Sequence, residues 1–146
     1  MSNKDLTCAS IGYEGRNLDD LCAALIDMGI EAVVDVRASP WSRRPEFRGQ
    51  ALRTALQERG IEYIHCKAAG NPFRPTKANR RRLDECASLY EEHLMQNPHV
   101  IDELEGLVRS RWSALLCYES DRTRCHRGVL LEALKRRNPN MEIVDL

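Results

Sequence analysis

Apolar residues follow two rhythms along this chain. Short, nearly continuous runs alternate with longer stretches in which apolar residues recur every three or four positions. The runs cover 7–11, 32–36, 61–65, 113–118 and 142–144. Runs of that length, bounded by Gly and charged residues, read as strands, and the near-unbroken ones read as strands buried on both faces of a parallel sheet. Between the first two, Leu18, Leu21, Cys22 and Leu25 keep helical spacing. Asn17 is placed to cap that helix, with Asp20 at its third position, and Gly29 stops it. A second helix is predicted over 50–59 (Leu52, Ala55, Leu56), ended by Gly60. Positions 67–79, with Gly70, Pro72 and Pro75, read as a long loop. Two helices follow it, one on Leu83, Cys86, Ala87, Tyr90 and Leu94, the other from Pro98 on Val100, Ile101, Leu104, Leu107 and Val108. A last helix is expected over 126–137.

Strands alternating with helices imply right-handed βαβ units. The expected fold is therefore three-layer α/β, a mostly parallel sheet of about five strands with helices on both faces. No internal repeat, low-complexity tract or linker interrupts residues 1–146, which are read as one domain.

No apolar run approaches the roughly 18 residues of a membrane span, and the first five residues lack the apolar stretch of a signal peptide. The expectation is a cytoplasmic protein with no membrane partner. In that compartment the six cysteines are expected as free thiols, Cys22 and Cys86 on helical stripes and Cys8 and Cys117 in strands. Net charge is zero, but it is unevenly spread. Residues 37–82 hold twelve Lys/Arg against three Glu, and 83–108 hold seven Asp/Glu with no Lys or Arg. Arginine outnumbers lysine eighteen to four, and its planar fork suits phosphate and carboxylate. The basic segment reads either as a solvated face or as a surface for an anionic small molecule or nucleic acid.

In an open α/β sheet, ligands bind beyond the carboxyl ends of the strands. That rule gathers four segments: Gly12-Tyr13-Glu14-Gly15-Arg16, the stretch from Arg37 to Phe47, His65-Cys66-Lys67, and Glu119 with Cys125-His126-Arg127. Each is dense in polar groups.

These residues look familiar as a set. Ile-Gly-Tyr-Glu-Gly-Arg at 11–16, Val-Asp-Val-Arg at 34–37, Ser-Arg-Arg-Pro-Glu-Phe at 42–47, Gly-Ile-Glu-Tyr at 60–63, Leu-Leu-Cys-Tyr-Glu at 115–119 and Cys-His-Arg at 125–127 resemble the domain of unknown function 488 family. The resemblance implies a cytoplasmic prokaryotic α/β domain and implies no reaction.

Chemistry must be argued from the residues. Cys125 has Arg124, His126 and Arg127 beside it and lies near a helix start, and both features favour the thiolate. It is a candidate nucleophile, or else a packed cysteine whose neighbours point outward. The phosphatase spacing, with arginine six positions after the cysteine, fails at Leu131. Glu14 and Glu119 end strands and divide into an acid and a base, or else only pair with arginines. Asp35, inside an apolar strand, requires a partner and is expected to hold loop amides or Arg37. Arg16, Arg37, Arg43, Arg44 and Arg127 are candidate anion clamps, joined by Tyr13, Ser39 and His126. Trp41 and Phe47 interleave with the arginines, as in single-strand nucleic-acid recognition or an aromatic-anchored loop. The glycines at 12 and 15 do not form the dinucleotide fingerprint. A metal site built on Cys117, Cys125 and His126, or including His65 and Cys66, matches no common zinc spacing, and no cofactor or oligomeric state is indicated.

The pattern therefore favours an enzyme acting on an anionic, phosphate-bearing substrate, with Cys125, Glu14 and Glu119 as reacting groups. A non-catalytic nucleotide or nucleic-acid binder and a metal-dependent site are its rivals.

Overall fold

A computed structural model describes residues 5–76, 78, 80 and 82–146. Met1–Lys4, the Leu83 side chain and Lys77, Asn79 and Arg81 of the predicted loop and basic segment lie outside the described residues. The element order is β1 (Thr7–Gly12), α1 (Leu18–Asp27), β2 (Ala32–Asp35), α2 (Gly49–Gln57), β3 (Glu62–His65), α3 (Leu83–Gln96), α4 (Pro98–Ser110), β4 (Ser113–Cys117), α5 (His126–Arg137) and β5 (Glu142–Asp145). Asn17 caps α1 as its spacing requires, its side chain accepting the Asp20 amide at 2.8 Å.

All five strands are parallel, in the order β3-β2-β4-β1-β5. The expected three-layer α/β fold is present, and no strand among the described residues runs antiparallel. From β1 the chain steps outward twice, to β2 and then β3, and it then turns back to β4 and β5. With right-handed crossovers, that reversal puts α1 and α2 on one face and α3, α4 and α5 on the other. The core divides accordingly. Leu21, Leu25, Leu52 and Leu56 pack with Ala9, Ile11, Val33, Ala114 and Leu116. Tyr90, Leu104, Leu130, Leu131 and Leu134 pack with Cys8, Val34, Leu115 and Cys117. Each fully buried leucine contributes about 1.5–3 kcal/mol relative to exposure. No helix among the described residues is long and apolar enough to cross a membrane.

The reversal makes β4 a switch point. Both its neighbours, β2 and β1, lead into helices on the α1–α2 face, whereas β4 leads into α5 on the opposite face. A crevice opens where adjacent strands diverge in this way.

On the α1–α2 side, the strand ends are tied by a buried carboxylate. Asp35 is fully buried, and its Oδ1 accepts the Arg37 amide (3.1 Å) and Nε (2.9 Å). Its Oδ2 accepts Arg37 Nη2 (2.7 Å) and the Tyr63 hydroxyl (2.5 Å). Arg37 Nη1 reaches the Tyr13 hydroxyl (3.2 Å) and the Phe47 carbonyl (2.9 Å), binding β2 to the loop that precedes α2. Burial opposes the Arg37 charge, but its bonds to Asp35 outweigh that cost and raise its pKa. Burial, then the Asp35 charge, pushes the Tyr63 hydroxyl up.

Removing one member of such a pair leaves an uncompensated charge in the interior. Asp35→Asn is expected to cost about 3–5 kcal/mol of unfolding free energy, read by urea denaturation. A loss under about 1 kcal/mol would mean that the pair does not hold these strands together.

Candidate functional site

Side chains alternate along β4, so Ala114 and Leu116 face α1–α2, while Leu115 and Cys117 face α3–α5. The last residue of the strand thus points to where α5 begins. A short 3-10 turn at Arg122–Arg124 delivers the chain there, shaped by Asp121, whose side chain accepts the Thr123 amide (2.9 Å) and hydroxyl (2.7 Å). Gly128 makes the return possible, because a Cβ there would collide with the Arg122 carbonyl. Gly12 does the same for β1, since its Cβ would overlap the Glu119 carbonyl.

Cys117 and Cys125 meet at this point as a disulfide pair, their sulfurs at bonding distance while their Cα atoms stand 7.6 Å apart, wider than the roughly 4.4–6.8 Å of most disulfides. The expectation of six free thiols is corrected. Cys8, Cys22, Cys66 and Cys86 are free and buried, and the other two are paired because strand parity and the helix start bring them together. Cys125 is the N-cap of α5, and its Sγ accepts the Arg127 amide at 3.4 Å. Glu119 Oε2 lies 3.5 Å from Cys117 Sγ.

Cys125 and His126 line a cleft of about 280 Å³ with Arg74, Cys86, Glu119 and Arg124. Arg74 Nη2 pairs with Glu119 Oε1 at 3.5 Å. Arg124 is exposed and has no ion pair among the described residues. His126 Nε2 lies 2.7 Å from the Val36 carbonyl, which must receive a proton, so Nδ1 carries the lone pair. Nδ1 stands 3.7 Å from Cys125 Sγ, and the edge of Tyr90 closes the other side at 5.3 Å between centroids. Burial, joined by the charges of Arg74 and Arg127, lowers the His126 pKa to about 4, so the imidazole is neutral at pH 7.

Arg127, only 1% exposed, lies behind the cysteines. Nε donates to Ser10 Oγ (2.7 Å), Nη1 to the Ile11 carbonyl (3.0 Å) and Cys117 Sγ (2.8 Å), and Nη2 to the Glu119 carbonyl (3.0 Å). No carboxylate touches it among the described residues, and burial brings its pKa down to about 10.

Of the residues singled out in the sequence, Cys117, Glu119, Cys125, His126 and Arg127 come together here. The others do not line this cleft. Glu14 Oε1 accepts the Ser120 amide (3.0 Å) and hydroxyl (3.2 Å). Tyr13 is buried and stacked on Phe47, 4.6 Å between centroids. Arg37 is spent on Asp35. Arg44 lies over the Phe47 ring and donates to the Arg16 (2.5 Å) and Tyr13 (3.4 Å) carbonyls. The Ser39 carbonyl accepts the Trp41 amide at 2.8 Å. Arg43 is exposed, Arg16 is half-buried, and Trp41 is exposed beneath the Arg48 guanidinium, 5.2 Å away. His65 Nε2 meets the Arg37 carbonyl at 2.8 Å, and Cys66 is buried. Arg74 and Cys86 escape a reading based on strand ends. Arg74 arrives on the long loop after β3, which leaves toward the same face as α5.

The fold and site define a parallel α/β domain with a cysteine-centred cleft at its switch point. The chain belongs to the family described as Domain of unknown function DUF488, which it matches over residues 17–134. That span contains every residue of the cleft and begins after Tyr13 and Glu14. Comparison with curated proteins and with solved structures found no match.

The imidazole yields a pH test. His126 titrates near 4 when folded and near 6.5 when unfolded, so between those values the unfolded chain binds more protons. Its contribution is complete above about 6.5 and is lost as pH falls toward 4. Stability is expected to fall by about 3 kcal/mol across that window. His126→Gln, which keeps a donor for Val36, should flatten the slope between pH 6.5 and 5, where few carboxylates titrate; an unchanged slope would place the responsible group elsewhere.

Proposed function

We propose that this chain is an enzyme acting on an anionic substrate in the cleft beyond β4, with Cys125 as the reacting group. The observation that carries the reading is the position of Cys125 Sγ, at the cap of α5, facing the cleft beside two arginines. Once the disulfide is reduced, the Arg127 amide, the helix terminus and the cations Arg74 and Arg124 all favour a thiolate at Cys125. In the thiol form Cys125 donates its S–H to Nδ1 of the neutral His126, 3.7 Å away, a bond given up when the thiolate forms. Glu119, at the cleft wall, is the group available for proton transfer, while Glu14 supports the turn that carries it.

Anion binding moves with this geometry. Arg37, Arg44 and Arg127 are held inward by protein groups, so the exposed Arg124, and Arg74 in exchange for its 3.5 Å surface pair with Glu119, become the substrate ligands, with phosphate or carboxylate as the matching chemistry. The exposed Trp41 and the neighbouring Arg43 and Arg48 form a separate surface, where any nucleic-acid contact would fall.

One observation favours a second reading, a metal-dependent site. Donor atoms of Cys117, Glu119 and Cys125 all lie within 4.8 Å of one another. In the dithiol form, three such donors with an open position resemble a catalytic zinc arrangement. Stoichiometric zinc retained by reduced, untagged protein against a chelator would favour it over the nucleophile reading.

The test is alkylation of reduced protein by iodoacetamide, mapped by peptide and followed against pH. Cys125 is expected to react with an apparent pKa below the free-thiol value of about 8.5 and faster than the buried Cys8, Cys22 and Cys66. Inorganic phosphate should slow that reaction, and Arg124→Gln should remove most of the protection. A Cys125 that stays unreactive until unfolding overturns the nucleophile.

A further inference from the structure

The two sulfurs of the site are not equivalent. Cys125 lines the cleft, whereas Cys117 is 2% exposed and lies behind it. Behind Cys117, in turn, is Arg127. Its partners are a hydroxyl, backbone carbonyls and one sulfur, all neutral while the disulfide is closed. A buried cation calls for a counter-charge. Opening the disulfide by attack at Cys125 puts one on Cys117 Sγ, 2.8 Å from Nη1.

We propose that Cys117 and Cys125 form a thiol–disulfide exchange centre acting on disulfides of small, carboxylate-bearing thiols, with Cys125 the exchanging sulfur and Cys117 the resolving one. This rests on the reading of Cys125 as the reacting group and supplies its substrate class.

The steps balance. In the reduced protein, the Cys125 thiolate attacks one sulfur of the substrate R–S–S–R. An S–S bond to Cys125 forms, the substrate bond breaks, and R–S⁻ leaves. The Cys117 thiolate, held by Arg127, then attacks Cys125 Sγ in the mixed disulfide. The protein disulfide closes, and the second R–S⁻ leaves. Two electrons pass from the protein dithiol to the substrate, and the two thiol protons pass to the two leaving thiolates. Run backwards, an external thiolate attacks Cys125, and Cys117 is the leaving group. Leaving-group stability sets which sulfur of a disulfide departs, and the guanidinium favours Cys117.

Cys86 also lines the cleft, but its S–H donates to the Phe73 carbonyl at 3.0 Å. Arg74 and Arg124 supply sites for substrate carboxylates, and Glu119 and Asp84, also on the wall, suit an ammonium. The cleft thus fits an amino-acid-like thiol.

The experiment mixes reduced full-length protein with glutathione disulfide and follows intact mass after acid quench. Wild type should pass through one glutathionyl adduct to the Cys117–Cys125 disulfide, releasing two thiols per chain. Cys117→Ser should halt at a stable adduct on Cys125, and Cys125→Ser should form neither product. Glutathione disulfide should react at least about fivefold faster than uncharged bis(2-hydroxyethyl) disulfide, since two arginines meet its carboxylates. Equal rates would overturn the substrate class. Wild type that stalls at the adduct, while Cys125 alkylates readily, would overturn the exchange centre and leave the nucleophile reading standing. A Cys125 inert to both reagents would overturn both.

Discussion

A guanidinium enclosed in a protein interior must be met on each of its edges, and Arg127, reaching from α5, is met from three other parts of the fold. Ser10 and Ile11 come from β1, Cys117 from β4, the Glu119 carbonyl from the turn beyond it, and the arginine itself from the first turn of α5. An ammonium would not serve, because one point charge with three donors cannot span Nε, Nη1 and Nη2 directions at once. The consequence for chemistry is immediate. Cys125 stands two residues before Arg127, so anchoring Arg127 to Cys117 also brings Cys125 to Cys117. The sulfur pair is a by-product of how the switch point is tied shut.

His126 completes the arrangement from the other direction. Its bond to the Val36 carbonyl ties α5 to the end of β2, two strands from Ser10. The N-terminus of α5 is therefore pinned across β1, β4 and β2 by consecutive residues. A helix start held in this way presents its free amides in a constant direction, and the cap position takes whatever acceptor the sequence supplies. Here it supplies sulfur. On the opposite face, Asp35, Arg37, Tyr13 and Tyr63 form a comparable buried network, in which the two charges meet each other.

Most of the fold could be read from periodicity, because both faces of a parallel sheet are covered and its strands show as apolar runs. The edge strand β5 shows more faintly, in Ile143 and Val144 alone, because it is only half-buried. The strand order was not, since nothing local to a strand records which neighbour it takes. The site divides along the same line. Cys125, His126, Arg127 and Glu119 could be found because they follow a strand end or open a helix. The clamp roles given to Arg37 and Arg44 came from their composition, and composition does not say which way a side chain turns. Arg37 turns inward because Asp35, two residues back on a buried strand, has to be neutralised. Compartment grounds make Cys117 a free thiol in a strand. Its pairing depends on strand parity together with the return of the chain through Arg122–Arg124, a distance in space and not in sequence.

The same interaction that builds the switch point also makes its electrostatics depend on the state of the sulfurs. With the disulfide closed, Arg127 is a buried cation whose direct partners are neutral: oriented carbonyls, a hydroxyl and one sulfur. With the disulfide open, the nearest acceptor takes a negative charge in a low-dielectric setting, where a contact of 2.8 Å is far stronger than in water. Cys117 is 2% exposed, so water does little to dissipate that charge. Cys125 gains the helix terminus and the cleft cations instead, which are weaker but open to a substrate. An asymmetric pair results, one thiolate stabilised and hidden, the other less stabilised and accessible. Nucleophilicity falls as a thiolate is stabilised, so the better held sulfur is the better leaving group and the exposed one the better attacker.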